Sequence, residues 1–186
     1  FKLPMATGIE LRHIHRQLKT RDPAYKNKIP MEILEDPLNF AIAIKKAPGL
    51  KISTRTRFTA NGDGKDLWEE FSRTGLLKDN ADMTPSAKGE VIGGAVAGWV
   101  KVKAGHTTEI AFALSWDMPR IHFGLGRTHL RRYTVFYGEN GSAAPMMARD
   151  ALMHYPEWER KIVNWQTPVI SDLELPDWYK CALFNE

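Results

Sequence analysis

The chain has 186 residues, 43% of them hydrophobic and 26% charged, with a net charge of +4 and a pI near 9.2. That is enough to bury the core of one ordinary domain and part of another. The single cysteine, Cys181, excludes an internal disulfide and favours a reducing compartment, and no apolar run approaches the roughly 18 residues that a membrane-spanning helix needs.

The charge is uneven. Residues 1–60 carry 12 Lys/Arg against 5 Asp/Glu, and residues 142–186 carry 4 against 7. A basic front end suits a solvated face, a phosphate or an anionic membrane surface. No arginine-rich block or aromatic RNP-type pattern points to nucleic acid. The first residue is Phe1, so the natural start is expected to be missing, and no secretory leader is visible.

In chain order, His13 and His15 share a face if their segment is a strand, but no Cys or carboxylate stands at ligand spacing nearby, so metal binding is not expected. "LNFAIAIKK" (38–46) places Phe40, Ile42 and Ile44 on one face of a strand. "LKISTRTRF" (50–58) alternates Leu50, Ile52, Thr54, Thr56 and Phe58 with Lys51, Ser53, Arg55 and Arg57. The "KAPG" turn between them predicts an antiparallel hairpin. "KDLWEEFSRTG" (65–75) reads as a short helix, with Trp68 and Phe71 inward and Gly75 as its stop.

"VIGGAVAGWVKVK" (91–103) reads as a third strand whose glycines mark a bulge or a close backbone approach. "TEIAFALSW" (108–116) is a fourth, aligning Ile110, Phe112, Leu114 and Trp116 on its apolar face. In "LSWDMPRIHFG" (114–124), Asp before x-Pro is turn chemistry for a strand end. Trp116, Asp117 and Arg120 also suit a sugar platform or a domain contact, and both readings stay open. "GLG" (124–126) lacks the spacing of a phosphate loop. "RRYTVFYG" (131–138) reads as a fifth strand. His106, His122, His129 and His154 fall in no ligand pattern, no serine-nucleophile elbow is present, and Asn140-Gly141-Ser142 is a formal glycosylation sequon.

After residue 142 the period changes. Ser142 is placed to cap the helix "AAPMMARDALMHYPEWERKIVNW". Met147, Ala151, His154, Trp158, Ile162 and Trp165 form one helical stripe that reads as core, and Pro156 predicts a kink. "QTPVISDLELP" (166–176) reads as a linker. Pro176 and Asp177 then open a helix whose Trp178, Tyr179, Cys181, Leu183 and Phe184 are apolar around most of its circumference.

The predicted fold is therefore mostly β: an antiparallel β-sandwich over 1–141, a long kinked connecting helix with its linker over 142–170, and a further helix over 171–186. No catalyst emerges from the residues alone.

"IPMEILEDPLNFAIAI" (29–44), "ALSWDMPRIHFG" (113–124), "RRYTVFYGENGSAAPMMARDAL" (131–152), "YPEWERKIVNWQTPVISD" (155–172) and "LPDWYKCALFNE" (175–186) together resemble the non-lysosomal glucosylceramidase family, also called bile acid β-glucosidases. Pro156 departs from the uninterrupted helix expected of that family. The resemblance implies a β-sandwich, a connecting helix and an (α/α)6 barrel, of which 171–186 supplies the first helix. It implies retaining hydrolysis of glucosylceramide and related β-glucosides by two barrel carboxylates, both beyond Glu186, so no catalytic residue is expected within this chain and the fragment alone is expected to be inactive. Asn185 and Glu186 are the positions expected near substrate. No cofactor is implied. A cytosol-facing protein, peripheral to endoplasmic reticulum or Golgi membranes, is implied. The competing reading is a stand-alone module for carbohydrate or anionic membrane, using Trp99, Trp116, Lys51, Arg55 and Arg57.

Overall fold

The computed structural model describes residues 1–18, 33–123 and 127–184. Segments 29–32, 124–126 and 185–186, which carry part of the first family motif, "GLG" and the Asn185–Glu186 pair, lie outside the described residues. The chain divides into two units, Phe1–Leu152 and Met153–Glu186. Strand and helix occur in about equal measure among the described residues, so the mostly-β expectation describes the first unit rather than the chain.

The elements are β1 (Ala6–Leu18), β2 (Ile33–Lys45), β3 (Lys51–Thr59), α1 (Lys65–Thr74), β4 (Ile92–Trp99), β5 (Phe112–Asp117), β6 (Arg120–Phe123), β7 (Arg127–Leu130), α2 (Thr134–Tyr137), α3 (Ala144–Ile170) and α4 (Asp177–Phe184). All pairings are antiparallel: a sheet ordered β1-β2-β5 and two pairs, β3-β4 and β6-β7.

The alternation of β2 gives the three-stranded sheet two different faces. Ile9 and Ile44 lie on one face, against β4. A Cβ at Gly94 would collide with the Ile9 side chain, and one at Gly98 would lie 2.6 Å from Ile44 Cδ1. The glycines of β4 are thus seats for isoleucines of the facing sheet, the close approach expected of them. The opposite face is built of small residues. Ala6, Ala41 and Ala43 are buried there with Ala144, Ala148 and Leu152 of α3. The missing side-chain bulk on both partners brings helix and sheet close enough to pack at interior density.

The predicted hairpin between 38–46 and 50–58 does not form. Both edges of β2 are already occupied, by β1 and β5, so the Lys46–Gly49 turn carries the chain out of that sheet and β3 pairs with β4 instead. The fourth strand begins later than predicted and faces the other way. Phe112, Leu114 and Trp116 are half-exposed, whereas Ser115 and Asp117 are buried. The fifth predicted strand, 131–138, is a helical turn. Thr134 N–H and Oγ1 both donate to Arg131 O, and Gly138 N–H closes on Thr134 O. The β6-β7 hairpin before it was not predicted.

Helix α1 matches its expected span. Asp63 accepts the Lys65 N–H, and Gly75, at φ 68, returns its N–H to Phe71 O. A Cβ at Gly75 would also lie 2.9 Å from Trp99 Cδ1, so glycine is required there for conformation and for room. Trp68 is not inward as expected: it is 65% exposed and leans on the Phe71 ring at 5.9 Å.

The buried stripe of α3 is Ala144, Ala148 and Leu152, not the Met147–Trp165 stripe. An alanine-faced sheet accepts the small residues of the helix and leaves the large ones outside. The helix runs through Pro156 and Pro168 to Ile170, five residues past the expected end, so the linker shortens. Thr167 Oγ1 donates to Val163 O, and Ser171 N–H bonds Thr167 O at the exit. In the second unit, Glu157 and Lys161 pair at 2.7 Å, and the Trp165 and Phe184 rings meet edge-on at 5.0 Å. Helix α4 begins at Asp177, one residue after the expected Pro176, and buries no residue; Trp178 is 72% exposed.

Candidate functional site

The Trp116, Asp117 and Arg120 cluster singled out in the sequence separates in three dimensions. Trp116 points to the half-exposed face of β5. Asp117, one residue on, points to the opposite face and is 0% exposed. Its Oδ1 accepts from the Tyr133 hydroxyl at 2.8 Å, and its Oδ2 accepts from the Ala143 N–H at 2.7 Å. Two positions earlier on the same strand, Ser115 Oγ donates to Ala144 O at 2.7 Å.

Asp117 therefore occupies the place expected of Ser142, whose hydroxyl instead donates to Asn140 Oδ1 at 2.8 Å. A helix start leaves N–H groups unpaired and carries partial positive charge, so a buried carboxylate is well placed there. The Asp-x-Pro turn thus does more than end a strand: it sets the first residues of α3 and the α2 turn against β5. Burial and the Asp117 carboxylate at its hydroxyl both push the ionisation of Tyr133 well above the ordinary range. Burial and Asp150, which accepts from its hydroxyl at 3.1 Å, also raise Tyr137.

Arg120 turns toward a second buried carboxylate, Asp36. Its Nη1 lies 3.8 Å from Asp36 Oδ1, while His122 Nε2 bonds Asp36 Oδ2. His122 Nδ1 is 2.9 Å from Thr128 Oγ1, its cross-strand partner. This chain of bonds docks the β6-β7 hairpin on β2. Asn39, opposite Asp117 in register and fully buried, donates to Glu10 Oε1 at 2.9 Å.

On β3, Arg57 Nη2 lies 2.6 Å from Glu90 Oε1 and its Nη1 lies 3.7 Å from Asp82, while Arg55 pairs with Glu70 at 3.4 Å. Asp79 and Asn80 accept the Thr56 and Arg57 N–H groups, so the long 76–91 segment is tied to β3. Asp79 is held below the usual carboxylate range: burial opposes the charge, but bonds from Ala81, Thr56 and Thr54 outweigh it. Thr84 lowers Asp82, and the Ala87 N–H, then Arg57, lower Glu90. These carboxylates stay ionised at neutral pH. The arginine face that read as a possible lipid or sugar contact is thus neutralised by acids of its own chain, and Lys51 lies over the Trp99 ring at 4.9 Å.

A cleft of about 480 Å³ opens beside α1, walled by Leu67, Phe71, Ala97 and Phe112 with Asp63 as a polar group. It lies apart from the Asp117 node. Among the described residues, no group of three or more His, Cys, Asp or Glu side chains is placed to hold a metal.

The sequence reading missed Ser115, Tyr133, Asp36 and His122. No periodic signal pointed to them, because the apolar face read from the sequence, Ile110 to Trp116, put Ser115 and Asp117 outward. The family model described as beta-glucosidase 2, glycosyl-hydrolase family 116 N-term, matches residues 5–158, which span the sheets, the Asp117 node and the first half of α3. The chain belongs to glycosyl-hydrolase family 116, through that family's N-terminal domain.

Proposed function

We propose that the chain is the N-terminal sandwich and connecting helix of a retaining β-glucosidase that acts on glucosylceramide and related β-glucosides. The observation that carries this reading is the family match over residues 5–158. A glycoside hydrolase of the retaining type needs two carboxyl groups about 5–5.5 Å apart, one of them able to hold a proton near neutral pH. Several carboxylates of the first unit are otherwise engaged. Asp117 fills both oxygens with structural donors. Asp36 is locked by His122 and Arg120. Asp79, Asp82 and Glu90 are held ionised and so do not suit the proton-holding member of the pair. In this reading the catalytic pair lies beyond residue 186, as the family resemblance implies, in an (α/α)6 barrel that α4 opens, with Asn185 and Glu186 near its substrate. The exposed Trp178 and Leu183 suit a helix that packs on a further element.

The aglycone in this reading is ceramide, so the substrate lies in a bilayer, and the family resemblance implies an enzyme at the cytoplasmic face of internal membranes. No described helix is long and apolar enough to cross one. Expressing the longer gene product and assaying it on an aryl β-glucoside and on glucosylceramide tests the proposal. Turnover on both, with a β-configured first product, supports it; a longer product inert on every β-glucoside removes it.

A further inference from the structure

Asn140, Gly141 and Ser142 lie on the turn that leads from α2 into α3, and Asn140 is exposed. Its Oδ1 accepts twice from Ser142, from the hydroxyl at 2.8 Å and from the N–H at 3.2 Å. The side chain is therefore folded back over its own main chain. The peptide group enclosed by that turn carries the Gly141 N–H, which has no hydrogen-bond partner among the described residues. A glycine nitrogen meets no Cβ on its way to the neighbouring carboxamide.

A backbone nitrogen that attacks this carboxamide drives negative charge onto Oδ1. Both Ser142 donors already aim at that oxygen, so they stabilise the charge where it develops. The Gly141 nitrogen gives its proton to water or hydroxide and bonds Asn140 Cγ. The Cγ–Nδ2 bond breaks, and Nδ2 leaves as ammonia. The resulting succinimide takes up water. Addition at Cγ reopens the new bond and leaves aspartate. Addition at the Asn140 main-chain carbonyl breaks the original peptide bond and leaves isoaspartate, whose main chain runs through the side-chain methylene.

A second Asn-Gly pair, Asn61-Gly62, supplies an internal contrast. Asn61 is also exposed, but its Oδ1 accepts from the Val91 N–H at 3.2 Å, 30 residues away. The Ala60 N–H bonds Val91 O beside it. The Asn61 carboxamide is thus tied to another segment, and that bond must break before the Gly62 nitrogen can reach Cγ.

We propose that Asn140 is a site of spontaneous deamidation, converted through the succinimide to aspartate and isoaspartate ahead of Asn61, and that the isoaspartate loosens the start of α3. The second part follows from the surroundings. Gly141 is buried at φ 65, and a Cβ there would lie 2.6 Å from Pro37 O. Two residues on, the Ala143 N–H is bonded to Asp117. A methylene added to the main chain at 140 has no slack to occupy, so it shifts the residues that seat the helix. The modification is independent of the glycosidase reading, because it needs water alone and no segment beyond the described residues.

Incubating the folded 186-residue chain at neutral pH and physiological temperature, then mapping its peptides by mass, tests the proposal. Acid is expected to accumulate at 140 severalfold faster than at 61, and the two rates are expected to approach each other in urea, where only the shared Asn-Gly sequence remains. Ser142→Ala removes one of the two donors on Oδ1 from an exposed position and is expected to slow conversion at 140 by about three- to tenfold, with the rate at 61 unchanged. The isoaspartyl fraction of the aged chain is expected to melt below an Asn140→Asp variant, which carries the same charge on an ordinary main chain. Equal rates at 140 and 61 in the folded chain, or conversion at 140 indifferent to Ser142→Ala, overturns the assignment of the site. An isoaspartyl fraction as stable as Asn140→Asp overturns its coupling to α3.

Discussion

Replacing Asp117 by alanine removes an acceptor that two buried donors share. The Tyr133 hydroxyl, at 2.8 Å, and the Ala143 N–H, at 2.7 Å, would both lose their partner in a site that is 0% exposed at the carboxylate. An orphaned buried donor costs about 1–3 kcal/mol, and bonds to a charged acceptor stand at the upper end. The sum for Asp117→Ala is about 3–5 kcal/mol, a large part of the ~5–15 kcal/mol that holds a domain folded. Asp117→Asn is milder. Its oxygen still accepts the Ala143 N–H, and the tyrosine hydroxyl rotates to accept from the new amide, for a cost of about 1–2 kcal/mol. Urea unfolding of the 186-residue chain, followed by tryptophan fluorescence, reads these differences from the midpoints at constant slope. Tyr133→Phe alone is expected to cost about 1 kcal/mol, and in the Asp117→Ala background to restore part of the loss, because it removes the orphaned hydroxyl. An Asp117→Ala midpoint equivalent to within ~0.5 kcal/mol of the parent would refute the assignment of Asp117 as the anchor of α3.

Acid should weaken the tie between β3 and the 76–91 segment. Asp79, Asp82 and Glu90 have folded-state values below their unfolded ones, so their contribution is present above the unfolded pKa and is lost as pH falls through the folded one. Melting temperature against pH should therefore drop below about pH 4, and Arg57→Gln should make that drop shallower. Alkali acts in the opposite sense. Tyr133 and Tyr137 have raised folded-state values, so their contribution is complete below the unfolded pKa and declines as pH rises above about 10. Tyr133→Phe should flatten that decline, and tyrosinate absorbance from this residue should appear only with unfolding. Ala148→Leu places a larger side chain where α3 meets Ala41 and Ala43 and should cost about 1–3 kcal/mol by overpacking; a neutral result in calorimetry would mean that helix and sheet are not in close contact there.

The sequence revealed local structure better than it revealed partners. Strands β2, β3 and β4 and helix α1 were legible because their periods and stop signals are local, as with the Gly75 cap and the glycines that seat Ile9 and Ile44. Pairing was not legible, because the link from Lys46 to Gly49 reads equally as a hairpin and as a crossing between sheets; the choice depends on β1 and β5 occupying both edges of β2. Size misled on β5 and α3. Large residues signal a core by burying more area, yet this interface is mainly alanine, joined by Leu152, and most of the large side chains of β5 and α3 stand elsewhere. The Asp117 node joins residues 16 and 26 positions apart, beyond the reach of any periodic pattern. The 131–138 run read as a strand, and the inward bonds of Tyr133 and Thr134 distinguish it from one.

The central claim is that this domain braces a glycosidase whose bond-cleaving carboxylates lie elsewhere in the gene product. The most direct measurement is hydrolysis of an aryl β-glucoside by the purified 186-residue chain beside the longer product. The account predicts turnover by the longer product alone. Sustained turnover by the 186-residue chain that co-purifies with it, and that Asp36→Asn or Asp117→Asn abolishes in a folded protein, would contradict it.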